Sequence, residues 1–310
     1  QMIIGAARRL KIAVAEDSIA RVGIDNPDID NWLGENIPFA EQLLREATHL
    51  YGTLDTSNEY LLGCEADLDQ LYGDLDSVVE IWEVATDSGH IGSRGRRALA
   101  NAYFARNDRS WSGLGVPELR RIVTLMEENL RSADRRDDDY HLWFNAYIML
   151  PEFDANEALS KIALWAKRFP SWRAHYYSYV LNFMLWFSRR TEDVRPYEEA
   201  LEECGRRHVG RRNASSLWYG GDQTSAGLIP QDDLGGWSSD ISFFRSPESL
   251  RPVNGIIERV SGPQAGNILI GGRVRAFFVP GKAYSAHRSE NERVHFYLGF
   301  SPTGLRAWSV

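Results

Sequence analysis

From Pro38 to about Arg207 the apolar residues recur at helical spacing almost without interruption. Turn-forming residues break the pattern at Gly52-Thr53, Gly73-Asp74, Ser88-Gly89, Asn107 to Gly115, Asp134 to Asp139, Pro151-Glu152 and Pro170-Ser171. A stripe of this period buries one face of a helix, and the breaks divide it into paired helices of about 11 to 17 residues. The period then changes. From Asn254 to Val310 the chain reads NGIIERV, GNILI, RVRAFFVP, VHFYLGFS and LRAWSV, separated by Gly-, Pro- and Ser-bearing turns. Short alternating or continuous apolar runs bounded by such turns predict five strands, enough to close a small barrel. The predicted fold class is therefore a mainly helical solenoid followed by a small all-β five-stranded barrel.

Two segments flank these regions. Residues 1–37 contain one amphipathic stretch (Leu10, Ile12, Val14, Ile19, Val22) stopped at Asp25-Asn26-Pro27, and read as a helix with a linker. Residues 209–253 turn to Gly, Ser, Asp and Trp. Leu217, Trp218, Leu228, Ile229, Leu234 and Trp237 offer too much apolar surface for a solvated linker, which predicts a long loop packed across the seam between solenoid and barrel. The domains expected are thus 1–37, 38–208, 209–253 and 254–310.

Within the helical region, Leu99-Ala100-Asn101-Ala102-Tyr103, Trp143-Phe144-Asn145-Ala146-Tyr147 and Val180-Leu181-Asn182-Phe183-Met184 share one register, at spacings of 44 and 37 residues. Each precedes a second amphipathic helix, at Glu118–Leu130, Glu157–Phe169 and Pro196–Arg207. The small–Asn–aromatic order resembles the first helix of a tetratricopeptide repeat, and Phe169-Pro170 resembles the proline that closes one. The spacings exceed the roughly 34 residues of that family, and Phe144 and Leu181 stand where it places a small residue. The resemblance implies that Asn101, Asn145, Asn182 and nearby His175 line a groove that takes a protein or peptide. An amide supplies the donor and acceptor an extended backbone needs. The competing reading has the same amides satisfying neighbouring backbone or side chains between helices.

The C-terminal region resembles a cold-shock or S1-type OB domain. The resemblance is carried by Gly255-Ile256-Ile257-Glu258-Arg259, Ala265-Gly266-Asn267-Ile268, Ala276-Phe277-Phe278-Val279, Val294-His295-Phe296 and Gly304-Leu305-Arg306-Ala307. It implies an outer face on which bases of single-stranded RNA or DNA stack. Strand alternation points Val274, Ala276 and Phe278 inward, with Val294, Phe296, Leu298 and Phe300. Arg259, Arg273, Arg275, Phe277, His295 and Tyr297 are left outside as the candidate nucleic-acid residues. The chain departs from the family where Arg259, Ala265 and Asn267 stand in place of stacking aromatics. A lone outward Phe among arginines is also a common protein-interface anchor, so docking of the barrel on a neighbouring domain or subunit stays open as the alternative. Helical repeats followed by such a domain resemble the C-terminal part of large bacterial signalling or defence NTPases, which implies a sensor region downstream of an effector.

Charge sharpens the division. Residues 251–310 carry eight basic and three acidic side chains, a net +5, which leaves −13 on the preceding 250 residues of a chain whose total is −8. A basic patch on an acidic body suits phosphate contact. Two cysteines 140 residues apart, Cys64 and Cys204, form no metal-binding or disulfide pattern and fit a reducing, cytoplasmic setting. No apolar run is long enough for a membrane span. The tryptophans at 82, 143, 165, 172 and 186 read as inter-helix core, and the acidic run Asp137 to Asp139 as a solvated helix start. There is no phosphate-binding glycine loop, GxSxG or HExxH, so the expectation is no catalysis, no cofactor and no metal. Opening on Gln1, the chain reads as a segment of a longer protein.

Overall fold

The computed structural model describes residues 38–50 in part, 59–208 apart from 72 and 90, 215–235, 244–262, 265–278 and 288–310. The expected helix in 1–37, and Trp237 of the connector, lie outside the described residues. Two compact units result, 1–108 and 109–310.

In the first unit, α1 (Glu59–Leu71), α2 (Leu75–Asp87) and α3 (Ser93–Arg106) pack consecutively. Leu61, Cys64, Val78, Val79, Trp82, Leu99 and Tyr103 form its interior. Asp74 caps α2 by accepting from the Ser77 amide at 3.1 Å, the usual reward for an Asp at that position. Glu59 reaches the Gly95 amide in the first turn of α3.

The second unit begins with α4 (Val116–Arg131), α5 (Asp137–Tyr147), α6 (Ala155–Arg168), α7 (Trp172–Phe187) and α8 (Arg195–Arg207). These start and stop within a few residues of the breaks in the apolar pattern. α4 packs on α5, and α7 packs on both α6 and α8. Asp154 and Ser171 cap α6 and α7. The acidic run at the start of α5 is not a solvated end. Asp139 is fully buried, accepting from the Arg136 amide at 2.6 Å and the Asn129 amide group at 2.9 Å. Asp137 accepts from the Trp165 indole at 2.6 Å and, with Asp138, pairs with Arg173. The dipole at a helix N-terminus and these donors together make the buried charge tolerable.

A seven-stranded mixed sheet follows: β1 (Leu217–Tyr219), β2 (Leu228–Pro230), β3 (Pro252–Gly262), β4 (Ala265–Ile270), β5 (Val274–Phe278), β6 (Arg293–Ser301) and β7 (Gly304–Trp308). The sequence predicts five strands. The two extra ones come from the connector, which is not wholly loop: Leu217 to Tyr219 pairs with Leu228 to Pro230 and with Phe300 and Gly299 of β6. Three-residue strands fall below the length at which alternation is visible in sequence. The other five strands pair in a circuit, β3–β4, β4–β5, β5–β7, β7–β6 and β6–β3, in which only β5–β7 is parallel.

Helices and sheet of this unit share one interior. Trp165, Tyr177, Tyr176, Tyr179 and Phe300 form a chain of ring contacts with successive centroids 5.6, 5.3, 5.4 and 6.5 Å apart. The hydroxyls of Tyr176 and Tyr179 donate to the carbonyls of Phe300 (2.8 Å) and Ser301 (2.6 Å), and the Cys204 thiol approaches the Pro302 carbonyl at 3.4 Å. The β6–β7 turn is thus held by α7 and α8, whose side chains add donors to its backbone carbonyls. Burial pushes the Cys204 thiol up to about 12, which keeps it protonated and unreactive.

Candidate nucleic-acid interface

The outer surface of the paired circuit is built by alternation. In β4 and β5 every second residue is buried (Ile268, Ile270, Val274, Ala276, Phe278), which turns Asn267, Arg275 and Phe277 outward. In β7 Leu305 and Ala307 are inside, so Arg306 and Trp308 face out. Register then aligns side chains from different strands. Arg259 stands opposite Asn267, Asn267 opposite Phe277, and Phe277 opposite Arg306. Four residues therefore form one row across β3, β4, β5 and β7. Neighbours in such a row have Cβ atoms about 4.5–5.5 Å apart. Trp308, two residues beyond Arg306, stands opposite Tyr297 of β6 and extends the row diagonally.

Local backbone geometry allows this approach. Between Ile257 and Arg259 the β3–β4 register shifts by one residue, a bulge at Glu258. Beside it, a Cβ on Gly266 would lie 2.1 Å from the Arg259 carbonyl oxygen, so only glycine lets β4 come this close. The β4–β5 turn uses Gly271 and Gly272 at φ +56° and +74°, and Gly271 lies against Trp186 at the end of α7.

The predicted residues do not all converge. Arg259 is exposed and makes no ion pair among the described residues. The Arg306 guanidinium lies over the Phe277 ring, 5.0 Å from its centroid, and bonds Thr303 Oγ1 at 2.8 Å. Partial burial lowers the Arg306 pKa. Arg275 is engaged elsewhere: it makes a bidentate pair with Glu258 at 2.6 and 2.7 Å, and each group holds the other in its charged form. Arg273 sits in the turn near enough to Asp193 to help lower that carboxyl to about 2, after the hydrogen bonds from Arg195. His295 is exposed on β6 opposite Asn254, away from the row. Tyr297 is half-buried against a connector cluster of Trp218, Ile229, Leu234, Phe244 and Leu250, as is Trp308. Arg306 and Trp308 are absent from the sequence-derived set. The signal was present in LRAWSV, where inward Leu305 and Ala307 leave their alternates outside.

The groove residues behave differently. The amides of Asn101, Asn145 and Asn182 donate to the carbonyls four residues earlier, Arg97, His141 and Ser178, at 2.8, 2.9 and 2.9 Å. The shared register thus yields a shared local conformation, with each amide turned back on its own helix. Asn145 is buried, while Asn101 is exposed and Asn182 half-buried. His141 shares a 2.5 Å hydrogen bond with Tyr177, and burial followed by the Arg173 charge lowers it to about 4. His175 is half-buried and also lowered, first by burial and then by Arg207; its Nε2 has no hydrogen-bond partner among the described residues.

A cleft of about 660 Å³ lies between the start of α4 and the connector, lined by Trp111, Leu119, Met149, Ile229, Asp233 and Glu248 among others. Its lining includes two carboxylates and no basic side chain, which unsuits it to phosphate. Asp233 instead fixes the loop before α4, accepting from the Trp111 and Ser112 amides at 2.5 and 3.1 Å and from Ser110 Oγ at 3.2 Å. Burial outweighs those donors and raises its carboxyl to about 6.

Asp233 and His141 make opposing contributions to acid stability. The folded state binds more protons at Asp233 than the unfolded chain between about 6 and the ordinary aspartate value of 3.8, so this group adds stability as pH falls through that window. His141 binds fewer protons when folded between 6.5 and about 4, so it removes stability as pH falls. Asp233→Asn deletes the first contribution only. Its melting temperature should decline more steeply than that of the wild type between roughly pH 6 and 4, in thermal scans across that range. Parallel curves would refute the assignment.

Comparison with protein-family models, curated proteins and solved structures finds no match to this chain. Among the described residues no helix is long and apolar enough to cross a membrane.

Proposed function

We propose that this chain is a non-catalytic recognition module of a larger protein that binds single-stranded nucleic acid on the outer face of β3, β4, β5 and β7. The observation that carries the reading is the row Arg259–Asn267–Phe277–Arg306. A ring or guanidinium plane gives a base a stacking surface, and flanking arginines attract phosphate. The five-strand circuit with a single parallel β5–β7 pair supports an OB-type barrel. The net +5 of residues 251–310 supports it electrostatically.

On this reading the helices are tetratricopeptide-like, in keeping with the equivalent Asn conformations in α3, α5 and α7. Capture of a protein by those amides has less support, because each is turned into its own helix. In the second unit, α7 and α8 instead hold the β6–β7 turn that leads into Arg306.

The two outward arginines of similar sequence context provide the test. Arg259→Ala removes a cation not engaged in an ion pair with a described residue, whereas Arg275→Ala removes one already neutralised by Glu258. Arg259→Ala should weaken binding of a fluorescent single-stranded oligonucleotide and make its salt dependence shallower by about one phosphate contact. Arg275→Ala combined with Glu258→Ala, which removes that neutral pair without baring a carboxylate, should change both far less. The reverse ranking in anisotropy titrations would remove the proposed face.

A further inference from the structure

Asn267 occupies the centre of the row, opposite Arg259 on one side and Phe277 on the other. It is half-buried and faces outward, between the inward residues Gly266 and Ile268. Its side chain makes no hydrogen bond among the described residues. That separates it from the amides of Asn101, Asn145 and Asn182, each bonded to its own helix, and of Asn129, bonded to Asp139. An amide presents a donor and an acceptor in one plane. Here that edge lies beside a stacking surface.

We propose that Asn267 selects the base, so that the face prefers single strands containing adenine; this inference rests on the nucleic-acid reading above. A base stacked on Phe277 and Arg306 lies one cross-strand interval from Asn267, which places its edge within reach of the amide. Adenine offers N6–H as donor and N7 as acceptor on one edge, matching the amide oxygen and NH₂ group. On that same edge guanine presents O6 and N7, two acceptors, and sets O6 against the amide oxygen; the selection therefore requires that the stacked base turn this edge, and not its Watson–Crick edge, to Asn267. Pyrimidines offer a smaller face to the ring and guanidinium. Arg259, on the far side of Asn267, has only donors and takes the adjoining phosphate.

The test titrates the full chain with labelled single strands of alternating A/C and alternating G/T, neither self-complementary, and with C and T homopolymers that control for the pyrimidine, at low salt. The wild type should bind the A-containing strand roughly 5- to 150-fold more tightly than the G-containing one. Asn267→Ala should keep affinity for all strands within a narrow range and erase the preference, whereas Asn267→Gln, which retains the amide, should keep part of it. Equal wild-type binding across the strands overturns the inference alone, as does an adenine preference that survives Asn267→Ala. Failure to bind any strand overturns the nucleic-acid reading and this inference with it.

Discussion

Phe300→Ala is expected to lower the unfolding free energy of the second unit by about 3–5 kcal/mol, the range for truncating a fully buried aromatic. Phe300 is fully buried in β6 and contacts Phe183 and Tyr179 of α7, with centroids 5.6 and 6.5 Å away. Its carbonyl accepts from the Tyr176 hydroxyl and from the Ser216 amide at 3.0 Å. The cavity would open where helix and strand share one interior, so helical circular dichroism and tryptophan fluorescence should shift together to a lower midpoint. Two separate transitions, with the helices unchanged, would contradict a common core. Tyr179→Phe is the milder companion: it leaves the ring and removes only the hydrogen bond to the Ser301 carbonyl, a loss of about 1–3 kcal/mol for a buried acceptor left unpaired.

The double substitution Phe277→Ala with Arg306→Ala has the largest expected effect on binding. Stacking is worth about 1–3 kcal/mol per base, or roughly 5- to 150-fold in affinity. Phe277 and Arg306 belong to one stack, so their losses should combine to less than the sum of the single variants. Both side chains are half-buried on the outer face, whereas the interior beneath them is Ile268, Ala276 and Phe278. The melting temperature should therefore move little while anisotropy titrations show the affinity loss. Preserved affinity in a folded double variant would exclude this row as the stacking surface.

Much of the architecture was written in periodicity. The helix limits of α4, α6 and α8 follow from apolar spacing and from Pro151, Pro170 and Pro196, and the inward set of β5 and β6 follows from alternation. Other features depended on contacts between distant segments. The two connector strands exist because β6 offers them an edge, and three residues such as Leu228 to Pro230 carry no period of their own. Glu258 neutralises Arg275 only because a strand lies between them in the sheet, although they are 17 residues apart in the chain. The burial of Asp139 likewise depends on Asn129 across the α4–α5 turn. For the candidate face, sequence identified Phe277 and Arg259 but not their alignment, because register across four strands is a property of the fold. Arg306 joined them only when the parallel β5–β7 pairing placed the last strand beside Phe277.

The most direct measurement of the central claim is the affinity of the intact chain for a labelled single-stranded oligonucleotide as a function of salt. If Arg259 and Arg306 of the row meet phosphates, the logarithm of the association constant should fall linearly with the logarithm of salt concentration, with a slope of about −1 to −1.5. Absence of binding at low salt, or binding whose strength does not change with salt, would contradict the account.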